Sequence, residues 1–284
     1  MSITTTTEES RPVTARRASR GGRVSRKAPR ARLVSWAQRL GAFAVVIVAW
    51  TWFAKTKGAN ADFPTPIEAV DKLIDLVGTS EYWNAVGETL LTAVIGFLIA
   101  VVIGVPVGML IGMSRRAQLS TQFLVDFGRT IPVIALLPLA ILVLHIGRSM
   151  AIFLIVFGAV WPLLVQSTYA VAQITPQARQ VVKAFRITPL ERIRYVYGPS
   201  MMPFLTTGLR IAASIALLIT VTAGYLGRVP GLGVEMRDSG ETDPHATFVY
   251  MLTCGALGLL LNMALVALQK RVLWWHPSQR GKVQ

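Results

Sequence analysis

A chain of 284 residues that is 53% hydrophobic and only 15% charged carries more apolar side chain than a water-soluble core of that size needs, which excludes an ordinary soluble domain and points to a membrane protein. The formal charge of +15 invites a nucleic-acid reading, but ten of the 29 Lys and Arg lie between Arg11 and Arg39, ahead of the first apolar run, where they suit a cytosolic lipid surface. The lone Cys254 excludes an intrachain disulfide and suits a packing position in an apolar stretch.

Residues 1–37, rich in Arg, Ser, Thr and Ala, read as a basic tail too polar to build a core; attraction to anionic lipid and a regulatory contact are its two uses. Its basic region is about three times longer than the n-region of a secretory signal, and no A-x-A site follows Trp52, so the first apolar run is expected to be a retained membrane helix. A bilayer core takes roughly 20 apolar residues per helix. Segments 38–54, 89–113, 123–144, 150–174, 204–226 and 246–269 predict six spans in an all-α fold, the first being the shortest.

After the first span, FPTPIEAVDKLIDLVG places Thr65 as N-cap, Pro66 at the first helical position and Glu68 at the reciprocal capping position. Ile67, Val70, Ile74 and Val77 share one side and Glu68, Asp71 and Asp75 another, predicting an amphipathic helix over 66–78. It either packs on the bundle or receives an external partner.

Gly96, Gly104, Pro106, Gly108 and Gly112 in the second span, Pro132 and Pro138 in the third and Pro162 in the fourth predict close helix approach and bent spans. Asp126 and Arg129 are i,i+3 partners, enough to account for both charges. His145, at the outer end of the third span, is either solvated or a gate or substrate contact, and nearby Arg148 would favour an anion. Gln166, Ser167 and Thr168 in the fourth span and Ser214, Thr220 and Thr222 in the fifth either line a cavity or make interhelical hydrogen bonds.

Between the fourth and fifth spans, Thr175 and Pro176 begin a short helix that runs to about residue 185. In TPLERIRYVYGPSMMP, Thr188 caps a second one, Pro189 begins it and Glu191 completes the box, while Gly198 and Pro199 are expected to end it after about two and a half turns. Helices this short are marginal alone in water, so docking is expected to hold them. Leu190, Ile193, Tyr195 and Tyr197 either fill a partner's groove or lie against the cytosolic ends of the spans.

With the N-terminus inside, the tail, Arg115, Arg116, the basic residues from Arg179 to Arg194 and those after Gln269 all face the cytosol. Only Lys55, Lys57, Lys72, Arg148, Arg228 and Arg237 lie outside, so the positive-inside rule puts both termini in the cytosol. The sequence holds no G-x-x-x-x-G-K-[ST] loop, no metal-spaced His or Cys cluster and no G-x-S-x-G elbow. Energy for any transport is therefore expected from another chain.

Residues 60–273 resemble the permease subunit of bacterial ATP-binding-cassette importers, in the nitrate, sulfonate and taurine group of the binding-protein-dependent family. PTPIEAVDKLIDL, FGRTIPVIALLPLAILVLHIG, GPSMMPFLTTGLRIAASIA and GLGVEMRDSGETD carry the resemblance, in that order. It implies the type I importer permease fold over 38–273, with a cytosolic coupling region at 175–203 and a cytosolic tail at 274–284. It further implies a second permease copy, ABC ATPase subunits that carry ATP and Mg, an extracytoplasmic binding protein, and no cofactor on this chain. The implied cargo is a small anion such as a sulfonate or nitrate, or a heterocyclic vitamin precursor, crossing the bacterial cytoplasmic membrane.

In that family the inner loop follows the pattern Glu-Ala-Ala, three residues, Gly, then a helix ending near Leu-Pro. Here Gln180, Val181 and Val182 stand for the first three, Arg186 for the glycine and Gly198 for the leucine, with Pro199 kept. The resemblance gives ATPase coupling to Gln180, Arg186, Pro189, Leu190, Glu191, Arg192, Ile193, Tyr197 and Pro199. An arginine at 186 raises the cost of left-handed backbone there, which predicts a changed angle between the two short helices. Relatives usually carry Glu where this chain has Gly224 and Gly where it has His145, so both join Gln166, Ser214 and Thr220 as candidates for the translocation path. Two rivals remain: a scaffold or receptor that keeps the fold without transport, and an intramembrane enzyme, for which His145 with Ser149 is the only nearby pair.

Overall fold

The computed structural model describes residues 29–56 and 62–274, so most of the basic tail and residues 275–284 lie outside the described residues. Every regular element among the described residues is helical. The helices are α1 Pro29–Thr56, α2 Pro66–Val77, α3 Ser80–Gly112, α4 Arg115–Thr130, α5 Leu137–Leu144, α6 Arg148–Ala172, α7 Pro176–Ala184, α8 Pro189–Glu191, α9 Gly198–Gly227, α10 Leu232–Asp238 and α11 Pro244–Val272. Residues 1–49 and 50–284 form separate units. The described part of the first is helical, and the remaining helices belong to the second.

α3, α6, α9 and α11 are each long and apolar enough to cross a membrane. α3 alone, with 33 residues, spans about 50 Å at 1.5 Å per residue. The predicted third span is broken: α4 stops at Thr130 and the pair α4 with Val133–Leu144 bends by 81°. Ile131 precedes Pro132 and adopts extended backbone, as a residue ahead of proline is pressed to do, and a 3-10 turn at Val133–Leu136 restarts the helix. The predicted first span corresponds to a shorter apolar helical stretch, Leu40–Thr56.

Small residues build the core. Ala140, Ala151, Ala216 and Ala223 pack with Met150, Leu154, Ile155 and Ile219, joining α5, α6 and α9. The α3 glycines let α6 approach: a Cβ added at Gly96, Gly104, Gly108 or Gly112 would lie within 3.0 Å of Ile155, Leu163, Leu164 or Val171 respectively. Thr168 crosses the same seam, its hydroxyl donating to the Gly108 carbonyl at 3.0 Å.

The outer elements are pinned by polar contacts. The Thr65 box forms, with Thr65 N–H donating to Glu68 Oε2 at 2.8 Å. Lys72 of α2 pairs at 2.6 Å with Asp243, the N-cap of α11, so this amphipathic helix does pack on the bundle. Ile67 and Ile74 nonetheless remain exposed. Tyr82 of α3 and Thr253 of α11 share a buried hydrogen bond of 3.0 Å. Leu232 N–H donates 2.9 Å to Thr89 Oγ1, fastening the start of α10 to α3. Gly231 permits that approach, since its φ is 138° and a Cβ there would meet Thr89 Oγ1 at 2.6 Å.

Candidate coupling surface and translocation path

The connection between α6 and α9 is folded throughout. Thr175 caps α7 by accepting from Ala178 N–H at 3.2 Å, and Val182, where the family pattern has alanine, is 2% exposed. α7 ends in a Schellman cap: Ile187 N–H donates to the Val182 carbonyl and Arg186 N–H to that of Lys183, both at 3.2 Å. That cap demands a left-handed residue, and Arg186 supplies it at φ 50°. Left-handed backbone is therefore present at Arg186 despite its side chain. Arginine adopts the glycine geometry, at a cost of about 1 kcal/mol, because two backbone hydrogen bonds and the next cap hold it there.

The next cap is the predicted box. Thr188 N–H and Oγ1 donate to Glu191 Oε2 at 3.2 and 2.7 Å, while Glu191 N–H donates to Thr188 Oγ1 at 3.4 Å. The hydroxyl and then the backbone N–H of Thr188 lower the Glu191 pKa below its ordinary 4.5. The helix does not end at Gly198 and Pro199, however. α8 passes into a π-helical turn, Arg192–Tyr197, in which Gly198 N–H donates to the Ile193 carbonyl, and continues directly as α9. Pro199 sits in the first turn of α9, directly after the π-helical turn, where the hydrogen-bond register has already shifted.

The four apolar side chains divide between exposure and packing on the ends of the spans. Leu190, Ile193 and Tyr195 are 77%, 61% and 67% exposed, whereas Tyr197 is half-buried against the cluster of Ala170, Val171, Ile174 and Met201. Gln180 is exposed on α7, and the Arg194 guanidinium lies 5.6 Å from the Tyr195 ring centroid. The result is a capped knob of three apolar side chains rigidly continuous with a 30-residue helix.

Beneath that turn lies a cavity of about 570 Å³ between the C-terminal ends of α3 and α6 and the start of α9. Met109, Met113, Met201, Met202 and Tyr197 line it together with Arg192, whose Nε is buried without a hydrogen-bond partner. Sequence reasoning missed it because its walls come from three distant segments. The clustering of four of the nine methionines at those helix ends was the available signal.

The path candidates do not converge on one cavity. Gln166 is half-buried against Gly208, Ser214 is exposed with its hydroxyl on the Arg210 carbonyl, and Thr220 is buried with its hydroxyl on the Ala216 carbonyl. Gly224 is buried where α10 crosses α9, with a Cβ there only 3.0 Å from Gly233 Cα. His145 is exposed and ends α5 at φ 60°, ψ 172°, a region essentially reserved for glycine, which is the residue relatives are expected to carry there. Arg148 is paired with Glu88, so its charge is not free for an anion. Asp126 and Arg129 form the expected local pair at 3.0 Å. A second cavity of about 340 Å³, near the N-terminal end of α3, is lined by residues that include Glu81, Glu88, Glu235 and Arg228.

Comparison with known proteins accounts for this arrangement. Residues 104–273 match the family described as the binding-protein-dependent transport system inner membrane component. The chain is 26% identical over 242 residues to the nitrate import permease protein NrtB of Synechocystis sp., covering 82% of this chain and 87% of that protein. It is 30% identical over 250 residues to a probable ABC transporter permease protein of Brucella abortus, covering 87% and 98%, and 25% identical over 258 residues to the putative aliphatic sulfonates transport permease protein SsuC of Bacillus subtilis, covering 90% and 94%. Among solved structures, an inward-facing MetNI methionine ABC transporter superposes with a TM-score of 0.59 at 22% identity, over 67% of this chain and 95% of its own, which establishes the type I importer permease fold. The chain belongs to the binding-protein-dependent transport system inner membrane component family.

Proposed function

We propose that this chain is the membrane-spanning subunit of an ATP-driven importer that carries a small anion, nitrate or a sulfonate, inward across the cytoplasmic membrane. The observation that carries the reading is the exposed apolar knob of Leu190, Ile193 and Tyr195 on a capped turn continuous with α9. A partner ATPase that grips the knob moves α9 as one body, since no flexible linker intervenes to absorb the motion. ATP and Mg belong to that ATPase, an extracytoplasmic binding protein delivers the anion, and a second copy of the chain completes the path. Both termini face the cytosol in this reading, which the distribution of basic residues supports. The nitrate and sulfonate names of the relatives support the cargo class.

Reconstitution tests the reading. Proteoliposomes holding the permease and its ATPase, supplied with the binding protein outside and ATP within, are expected to accumulate nitrate or an alkanesulfonate only while ATP is hydrolysed. Assembly of the same subunits without ATP-dependent accumulation would support the scaffold reading instead.

A further inference from the structure

The methionine-lined cavity has no role in this account, and its chemistry is specific. Its volume of about 570 Å³ falls within the 300–1,000 Å³ typical of small-molecule sites. Arg192 is the one charged residue among those lining it, and its Nε is shielded from solvent without a hydrogen-bond partner. A buried donor on a permanent cation is costly to leave unpaired, so the site selects a ligand with an anionic acceptor at one end and a hydrocarbon body. Unbranched, polarizable methionine side chains adapt to a flexible alkyl chain better than to a rigid solute.

We propose that this cavity takes one acyl chain of an anionic phospholipid from the cytosolic leaflet, with the phosphate on Arg192. The source follows from position: the cavity opens at the inner ends of α3, α6 and α9, and Arg192 immediately follows the capped turn Thr188–Glu191. The proposal rests on the reading of that turn as cytosolic. A lipid seated there props the π-helical turn from below and touches Ile193, which lines the cavity as well as standing exposed, so it tunes how firmly the ATPase is held.

The test uses the permease–ATPase complex in nanodiscs of phosphatidylcholine with one fifth phosphatidylglycerol, extracted gently and weighed by native mass spectrometry. Phosphatidylglycerol is expected to remain bound in preference to phosphatidylcholine. Arg192→Gln is expected to lower its retention about tenfold, the size of one charge-assisted hydrogen bond. Met202→Trp, which fills the cavity and keeps the charge, is expected to lower it comparably. Dioctanoyl phosphatidylglycerol added to the unaltered complex is expected to displace the native lipid even if a variant fails to assemble. Equal retention of the two headgroups, displacement by inorganic phosphate alone, or full retention in both variants would overturn the proposal. The same spectra report whether the ATPase is present, so absence of a lipid preference in the unaltered complex with the ATPase retained counts against the lipid site alone, and absence of the ATPase from the unaltered complex counts against the coupling reading.

Discussion

Replacing Gly108 by alanine tests whether α3 and α6 are held by backbone approach. A Cβ at position 108 would lie 2.4 Å from the Leu164 carbonyl oxygen and 2.9 Å from Leu164 Cα. Both obstacles are backbone, so no rotamer change relieves them, and restoring ordinary contact at 3.4 Å moves one helix by about 1 Å. Overpacking of that kind costs about 1–3 kcal/mol. The shift also strains the Thr168 hydrogen bond to the Gly108 carbonyl, worth about 0.6 kcal/mol inside a membrane. Alanine returns about 1 kcal/mol through its better helix propensity. The net is a destabilisation of about 1.5 kcal/mol, or about 3–6 °C in Tm for a chain of this size. Thermal unfolding of the detergent-solubilised protein, followed by tryptophan fluorescence, measures it. Gly255→Ala is the control, because a Cβ there meets nothing within 4 Å, and its Tm is expected to hold or rise slightly. If Gly108→Ala melts with Gly255→Ala rather than below it, the close-approach argument is wrong.

Other perturbations probe other joints. Thr89→Val leaves the Leu232 N–H buried without its acceptor and is expected to cost about 1–3 kcal/mol, read as a lower Tm and faster proteolysis around α10. Arg186→Gly puts the favoured residue at φ 50° and is expected to strengthen the Schellman cap by about 1 kcal/mol, measured as slower amide exchange at Ile187. The Glu191 box is sensitive to acid. Its pKa is lowered on folding, so its contribution is complete above the unfolded value of 4.5 and is lost as pH falls through the folded value. ATPase retention by the unaltered chain should therefore decline in that acid window by more than retention by Glu191→Gln.

Local rules were legible in the sequence wherever side chain and backbone meet within three residues. The Thr65 and Thr188 boxes and the Asp126–Arg129 pair needed no tertiary information. Hydropathy located the long helices and Pro132 marked the third span for a bend, but neither set its size: an 81° break depends on how the two halves pack as well as on the extended backbone that Pro132 imposes on Ile131. Gly198 and Pro199 looked like a helix stop because sequence signals do not distinguish a stop from a π-helical turn, which also accommodates a proline by changing hydrogen-bond register. The left-handed Arg186 was illegible because the penalty is a property of the residue, while the hydrogen bonds that outweigh it are a property of the fold. The cavity under the turn depends on three distant helix ends meeting, and no periodicity encodes that.

The central claim is that the capped turn at Leu190 and Ile193 is where energy enters the permease. The most direct measurement is purification of the tagged chain in mild detergent, with co-purifying ATPase quantified and its vanadate-sensitive activity assayed, beside the double variant Leu190→Asp and Ile193→Asp. Both side chains are exposed, so the variant should fold and span the membrane as before. The account predicts that the ATPase accompanies the unaltered chain and is lost from the variant. An ATPase retained equally by both, or found with neither, would contradict it.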